Sequence, residues 1–278
     1  MGSPGVAGHG LIEVMDSGCI DWSAKTIRSR GIAAPSVAMD DQPSESPSEI
    51  LAMARRMAQA NLLTTVAAVR INATSQVADR MSQNTEFRDG LIALTKNAAI
   101  TRQEYLSDGT LEIELTMNLT GGFGQFVLPE EIHQVEPVTT VIVNQSETGK
   151  SSTPAKDGDA SAYTGLIIDA AGIGAMPSLV PVVVDESDEV VYGPAIASRE
   201  FAVSRGMSGF TNSLEAARND NRVGDRPIIV KAIRTRSTGA TDLVISTADA
   251  ARLRSSVIYL NFMKACRVSI VMDMSGGP

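Results

Sequence analysis

Four short stretches carry residues whose types and spacing could do chemistry. Asn144-Gln145-Ser146-Glu147-Thr148-Gly149-Lys150-Ser151 ends in Gly-Lys-Ser, the order in which a phosphate-binding loop presents its lysine and hydroxyl. Such a loop also needs a glycine at its first position and a following helix whose N-terminal amides complete the anion cradle. Asn144 takes the glycine position, and Thr153-Pro154 followed by polar residues offers no helix, so the stretch reads as a solvated linker. Asp169 to Gly174 places Gly172 and Gly174 after Leu166-Ile167-Ile168, like the start of a dinucleotide fingerprint, but Pro177 stands at the third glycine position and interrupts the required helix. A plain turn is expected there. Asp185-Glu186-Ser187-Asp188-Glu189 gathers carboxylates between two apolar runs, yet a calcium loop wants more oxygen ligands in a longer turn with a glycine bend, so a hairpin tip is expected. His9 sits in a glycine-rich lead and His133 beside Glu130 and Glu131; neither has a local nucleophile, and solvated roles are expected for both. No residue emerges as catalytic, cofactor-binding or metal-ligating, no cofactor is implied, and a non-enzymatic chain is expected.

The elements that would position any site come next. At 278 residues and 43% apolar composition the chain can bury a proper core without staples, in one large domain or two. Aromatics are 4%, too few for a base-stacking surface, and 24 Lys plus Arg against 32 Asp plus Glu leave a charge of −8 that repels phosphate backbones. Arg222, Arg226, Lys231, Arg234 and Arg236 fall close together but on different faces of a loop and a strand, so no nucleic-acid partner is expected. Cys19 and Cys266 are too few for a disulfide framework or a metal site; one long-range disulfide and two unpaired small apolar residues both stay open. No run reaches the length of a membrane-spanning helix, and no charged n-region with an apolar core precedes residue 20.

The pattern centres on residues 46–119. Ser46, Pro47 and Glu49 form a helix start, with a serine cap, a proline at the first position and an acid to close a capping box. Ile50, Leu51, Ala54, Met57, Ala58 and Leu62 give that helix one apolar face as far as about Thr65, where Val66, Val69 and Ile71 suggest a strand. Residues 77–84 read as a loop or a polar strand end, and Phe87, Leu91, Ile92 and Leu94 as a second helix. Ile100–Leu106 and Thr110–Leu119 then form a hairpin across Ser107-Asp108-Gly109, its second strand alternating apolar and polar residues. Before the helix, Leu11–Val14 is a short apolar run, Cys19–Trp22 an edge strand, and Thr26–Pro35 a strand ended by its proline.

After Gly121 and Gly122 a domain edge, a strand at Val138–Val143 and an exposed linker are expected. Gly165–Ala170, Leu179–Val184, Val190–Tyr192, Pro227–Arg234 and Leu243–Ser246 follow as strands. One long helix capped by Ser246, with Ala250, Leu253, Val257, Leu260 and Met263 as its stripe, precedes a last strand at Arg267–Asp273. The fold class is α+β, with two domains, each a mixed or mostly antiparallel sheet covered by one or two helices. The expected boundaries are a flexible lead at 1–16, a first domain at 17–143, a linker at 144–162, a second domain at 163–273 and a tail at 274–278.

Gly18-Cys19-Ile20-Asp21-Trp22, the step Gly31-Ile32-Ala33-Ala34-Pro35, the helix Ala54-Arg55-Arg56-Met57-Ala58-Gln59-Ala60-Asn61-Leu62-Leu63 and the hairpin Tyr105-Leu106-Ser107-Asp108-Gly109-Thr110-Leu111 occur in this order. Together they resemble the bacterial family of small membrane-associated lipoproteins that includes the flagellar basal-disc protein, over about residues 17–120. The resemblance implies an exported envelope protein, periplasmic, outer-membrane-associated or at the cell surface. It also implies assembly into multi-copy structures, with other envelope or flagellar proteins as neighbours, rather than catalysis. The chain departs from that pattern in its large C-terminal extension and in Asp16, which stands before Ser17-Gly18-Cys19 where a lipidation site wants an aliphatic residue; Cys19 is therefore not read as lipidated. The expected function is a structural subunit that presents strand edges and alanine-rich faces to copies of itself, building a ring, disc or filament. The alternative is a monomeric periplasmic module that binds a peptide, glycan or small ligand between its domains.

Overall fold

The structure, a computed structural model, describes residues 10–35, 46–133, 163–236 and 240–273. The first sheet begins with the antiparallel strands β1 (Ile12–Met15), β2 (Gly18–Asp21) and β3 (Thr26–Ala33). Three helices follow, α1 (Pro47–Ala67), α2 (Val77–Gln83) and α3 (Thr85–Lys96), and then the hairpin of β4 (Ala99–Tyr105) and β5 (Leu111–Asn118). The strand order is β1-β2-β3-β5-β4. Ser46 and Glu49 close the capping box at the start of α1, and Ile50, Ala54, Ala58 and Leu62 are buried on the sheet. They meet Ile27 and Ala33 of β3 and Leu111, Ile113 and Leu115 of β5, all buried in the same cluster. Burial on this scale is worth about 2 kcal/mol for each large aliphatic side chain.

Small residues let α1 lie close. Ala54 and Ala58 face Gly31, where an added Cβ would stand 2.1 Å from the Ala54 carbonyl oxygen and 2.3 Å from the Ala58 nitrogen. Ser29 Oγ donates to the Ala58 carbonyl at 2.8 Å and Asn61 Nδ2 to the Arg30 carbonyl at 2.7 Å, so these polar side chains in the contact are satisfied. These two alanines are covered by the chain's own sheet.

Four further expectations change in this half. Residues 66–71 do not form a strand: α1 continues through Val66 to Ala67, and Arg70 makes an isolated bridge to Gln76. The β-branched signal there reports burial instead, since the carbonyls of Arg70 and Ile71 accept from the nitrogens of Leu179 and Val180 at 3.0 and 2.8 Å. Residues 77–83 form the helix α2, whose first turn is closed by Asp79 Oδ2 accepting from the Gln76 nitrogen at 2.7 Å. β2 is an inner strand, not an edge, and β1 lies within the stretch expected as a flexible lead, with Leu11 buried beside it.

The remaining elements are α4 (Gly122–Val127), β6 (Gly165–Asp169), β7 (Val183–Val184), β8 (Val190–Tyr192), α5 (Arg199–Arg205), β9 (Gly209–Thr211), α6 (Leu214–Arg218), β10 (Pro227–Thr235), β11 (Leu243–Ile245), α7 (Thr247–Arg254), α8 (Val257–Lys264) and β12 (Val268–Val271). Their seven strands form a second sheet in the order β8-β7-β11-β10-β6-β12-β9. β10, β6, β12 and β9 run parallel, and β11 joins antiparallel to β10. β6 and β12 are buried along nearly their whole length, as parallel strands covered on both faces must be. Two helices replace the expected single long one, because Ser256 Oγ accepts from the Ile258 nitrogen at 3.2 Å and restarts the chain as α8. Val257 consequently turns outward, 63% exposed. The strand expected over Leu179–Val184 shrinks to Val183–Val184, and α4, α5, β9 and α6 had no counterpart in the sequence reading.

The architecture is α+β with two sheets and helices packed on each, as expected. One contiguous buried cluster runs from Leu11 and Trp22 through Leu62 and Leu115 to Leu166, Tyr192 and Ile270, so the halves share a core. The expected strand at Val138–Val143, the linker at 144–162, the first residues of the lead and the tail at 274–278 lie outside the described residues.

Candidate functional site

Three places bring polar groups together. The first is the seam between the halves, reached by the turn from β2 to β3. Lys25 adopts a left-handed φ of 56° at the end of that turn. Its amine passes under the Phe210 ring, 5.6 Å from the centroid, and donates to the Ser208 carbonyl. Arg222 Nη2 donates to the Arg205 carbonyl and Nη1 to the Gly206 carbonyl at 3.0 Å, while Tyr192 Oη donates to the Met207 carbonyl at 2.6 Å. Four consecutive carbonyls, 205 to 208, are thus held by donors from three separate stretches of chain. Gly206, at φ 77°, makes room for this, since a Cβ there would stand 3.0 Å from Lys25 Nζ.

Burial pushes the Lys25 amine down to about 7, and the nearby Arg222 charge pushes the same way against Asp220 and Cys266. Burial likewise raises the Cys266 thiol and the Tyr192 phenol and lowers the Arg222 guanidinium. An amine poised near neutrality is what nucleophilic lysine chemistry requires. Here, however, it is engaged with a carbonyl, and the cleft beside it offers only about 20 Å³, room for about one water molecule. The cluster works as an anchor between the halves.

A second knot lies beside it. Arg70 binds Glu13 through two hydrogen bonds of 3.0 and 2.6 Å, Trp22 Nε1 donates to the same carboxylate at 3.0 Å, and Arg70 Nε reaches the Pro177 carbonyl at 2.8 Å. Burial alone would raise the Glu13 carboxyl, but the hydrogen bonds from Arg70 and Trp22 and the Arg70 charge hold it below the ordinary value of 4.5. A lowered carboxyl contributes stability that is complete above 4.5 and is lost as pH falls through the lower folded value. Thermal melts should show the wild-type midpoint dropping in that acid range and Glu13→Gln dropping less steeply, from a lower plateau. Parallel pH dependences for the two proteins would remove Glu13 from this role.

The third place is the outer face of the first sheet, the face away from α1. A groove of about 480 Å³ opens there, lined by Ile12, Val14, Cys19, Arg28, Arg30 and Glu114 among others. Arg30 pairs with Glu112 at 3.3 Å and Glu114 at 3.5 Å. At the far side of the same sheet β4 is exposed at all seven residues, on both faces, because α1 lies over β3 and β5 and stops short of it. Its register with β5 sets Arg102 opposite Glu114, Gln103 opposite Ile113 and Glu104 opposite Glu112, with a bulge between Ile100 and Arg102. Tyr105 and Leu106, 57% and 50% exposed, continue the strand into the hairpin loop.

The residues weighed from sequence are dispersed. Asp169 to Gly174 is a turn in which Gly172 and Gly174 take φ of 80° and 66°. The acidic run is a hairpin tip that grips α7 at both ends: Glu186 accepts from the Thr247 nitrogen at 2.9 Å and Asp185 from Arg254 Nη1 at 2.8 Å. The hydrogen bond from Arg254 holds the Asp185 carboxyl below its ordinary value, and the Thr247 amide does so for Glu186. His133 is exposed, its carbonyl accepting from the Arg199 nitrogen at 3.1 Å. Of the basic residues, Arg222 turns into the seam, whereas Arg236 pairs with Asp188 at 3.2 Å. Cys19 and Cys266 are unbonded, and Cys19 lies within β2, paired to Arg28. Among the described residues no three His, Cys, Asp or Glu side chains converge as a metal site, and no helix is long and apolar enough to cross a membrane. His9 and the Asn144–Ser151 stretch lie outside the described residues.

Residues 165–274 match the family model for Treponema pallidum Tp0624, second domain. This Tp0624-like segment starts at the first residue of β6 and takes in every strand of the second sheet and α5 to α8. It leaves the first sheet, its groove and the β4 edge outside. No curated protein sequence matches the chain.

Proposed function

We propose that the chain is a structural subunit of a bacterial envelope or cell-surface assembly, self-associating into a ring, disc or filament rather than catalysing a reaction. The observation that carries this reading is β4, a seven-residue edge strand exposed on both faces. An uncovered edge is a template for pairing with another chain, and natural sheets of one copy usually shorten or cover it. The lipoprotein-family resemblance over about residues 17–120 supports the same reading and adds the periplasm, outer membrane or cell surface as its setting, with the flagellum as one host structure. Likeness of the second sheet to a bacterial family agrees with a bacterial setting. The test is sedimentation velocity of the purified chain over a wide concentration range, with negative-stain electron microscopy of the largest species. Concentration-dependent assembly is expected, and a monomer at every concentration would overturn the reading.

A second reading, a monomeric module for a peptide, glycan or small ligand, is favoured by the 480 Å³ groove on the first sheet. Its volume falls within the range of small-molecule sites. It predicts a monomer whose melting temperature rises with a ligand that loses its effect when Val14 and Arg28 are changed.

A further inference from the structure

Resting on the self-assembly reading, we infer that one contact of the assembly is two-fold: β4 pairs antiparallel with β4 of a second copy, centred on Gln103, so that Arg102 of each copy stands opposite Glu104 of the other.

Charges on an edge strand ordinarily repel a second strand. On β4 they do the reverse, because the two signs are spaced two residues apart on one face, bound to each other at 2.7 Å and both about half exposed. A two-fold axis through Gln103 exchanges positions 102 and 104, and opposite charges directly across an antiparallel pair are favourable. The strand is thus complementary to itself in this register. Within one copy β5 sets Glu112 directly opposite Glu104 and Glu114 opposite Arg102, so three acids lie around the one arginine of β4. Glu104 is bound to Arg102 of its own copy at 2.7 Å, and Arg102 of the second copy would add a cation on its open flank. Across the other face Gln103 meets Gln103 of the second copy, amide to amide, and the exposed rings and chains of Tyr105 and Leu106 flank the contact. The bulge between Ile100 and Arg102 shifts the register of β4 on β5, and under the two-fold it would bound the regular stretch of the contact at both ends. A two-fold contact closes on itself at a dimer; a ring, disc or filament needs a second, different contact.

Charge reversal separates this contact from assembly in general. Arg102→Glu sets two acids against each other across the axis, and Glu104→Arg two bases. Each variant alone should associate through this contact at least about tenfold more weakly than wild type by sedimentation velocity. The runs are made well below every melting temperature, because Arg102→Glu also sets a like charge opposite Glu114 and Glu104→Arg removes one opposite Glu112. An equimolar mixture of the two variants should recover association, because every 102–104 pair is then opposite in sign. The double variant R102E/E104R should self-associate like wild type. If wild type assembles and both single variants assemble equally well, the β4 contact is wrong and the assembly reading stands. If the single variants fail and their mixture does not recover, the register is wrong. A wild-type chain that stays monomeric removes both.

Discussion

Gly31→Val is expected to destabilise the chain by about 3 kcal/mol or more, at the upper end of what overpacking a well-filled core costs. The size follows from what the new side chain meets. Its Cβ alone would stand 2.1 Å from the Ala54 carbonyl oxygen and 2.3 Å from the Ala58 nitrogen, backbone atoms of α1 that cannot rotate aside. Only lifting the helix from β3 relieves the contact, and that opens the packing of Ala54, Ala58 and Leu62. Gly31→Ala should already lose most of this, because the first added carbon makes the clash, and Ala58→Gly should restore little, because the nearest atoms are backbone. Urea midpoints for the three variants measure it. A midpoint for Gly31→Ala equal to wild type would show that the helix does not lie this close.

The second large effect is on pH dependence. With the Lys25 amine at about 7 in the folded chain and 10.5 when unfolded, the unfolded chain binds the extra proton throughout that interval. Stability therefore rises with pH from about 7 upward, and below 7 the cost of the buried charge is present in full. Between pH 7 and pH 9, the ordinary thiol value, the gain is about 2 kcal/mol; above 9 the raised Cys266 thiol pulls the opposite way. Lys25→Met should abolish the rise. It also leaves the Ser208 carbonyl without its donor, so the variant should compare best with wild type at pH 6 and worst near pH 9. The groups facing the amine, Arg222, Asp220 and Cys266, remain in the variant and serve as the internal control. Urea melts at the two pH values decide the matter, and a wild-type stability that is flat or falls with pH would return Lys25 to an ordinary surface lysine.

How far the sequence could be read depended on the range of the interactions involved. The start of α1 was legible because Ser46, Pro47 and Glu49 act within one turn, and β5 because its alternation is set by one sheet face. Val69 and Ile71 misled for the opposite reason: their burial is real, but the chain that covers them comes more than a hundred residues later. The break between α7 and α8 turned on which of two adjacent serines takes up a cap, a choice that a continuous apolar stripe conceals. For the candidate site the signals differ. Nothing local marks Lys25, whose acceptor is 183 positions away. β4 did carry a readable mark: Ala-Ile-Thr-Arg-Gln-Glu-Tyr has no consistent apolar face, as suits a strand exposed at every residue.

The carbonyls of residues 205 to 208 give the molecule a mechanical property. They are held by side chains from positions 25, 192 and 222, and β9 just beyond them is tied by Ser23 Oγ donating to the Phe210 carbonyl, 187 positions along the chain. Lys25 and Ser23 reach across from the first sheet, whereas Tyr192 and Arg222 brace the same carbonyls from within the second half, so a pull arriving through the turn between β2 and β3 would be shared among several donors. In an assembly joined through β4, that braced anchor would lie on the path from one sheet of each subunit to the other.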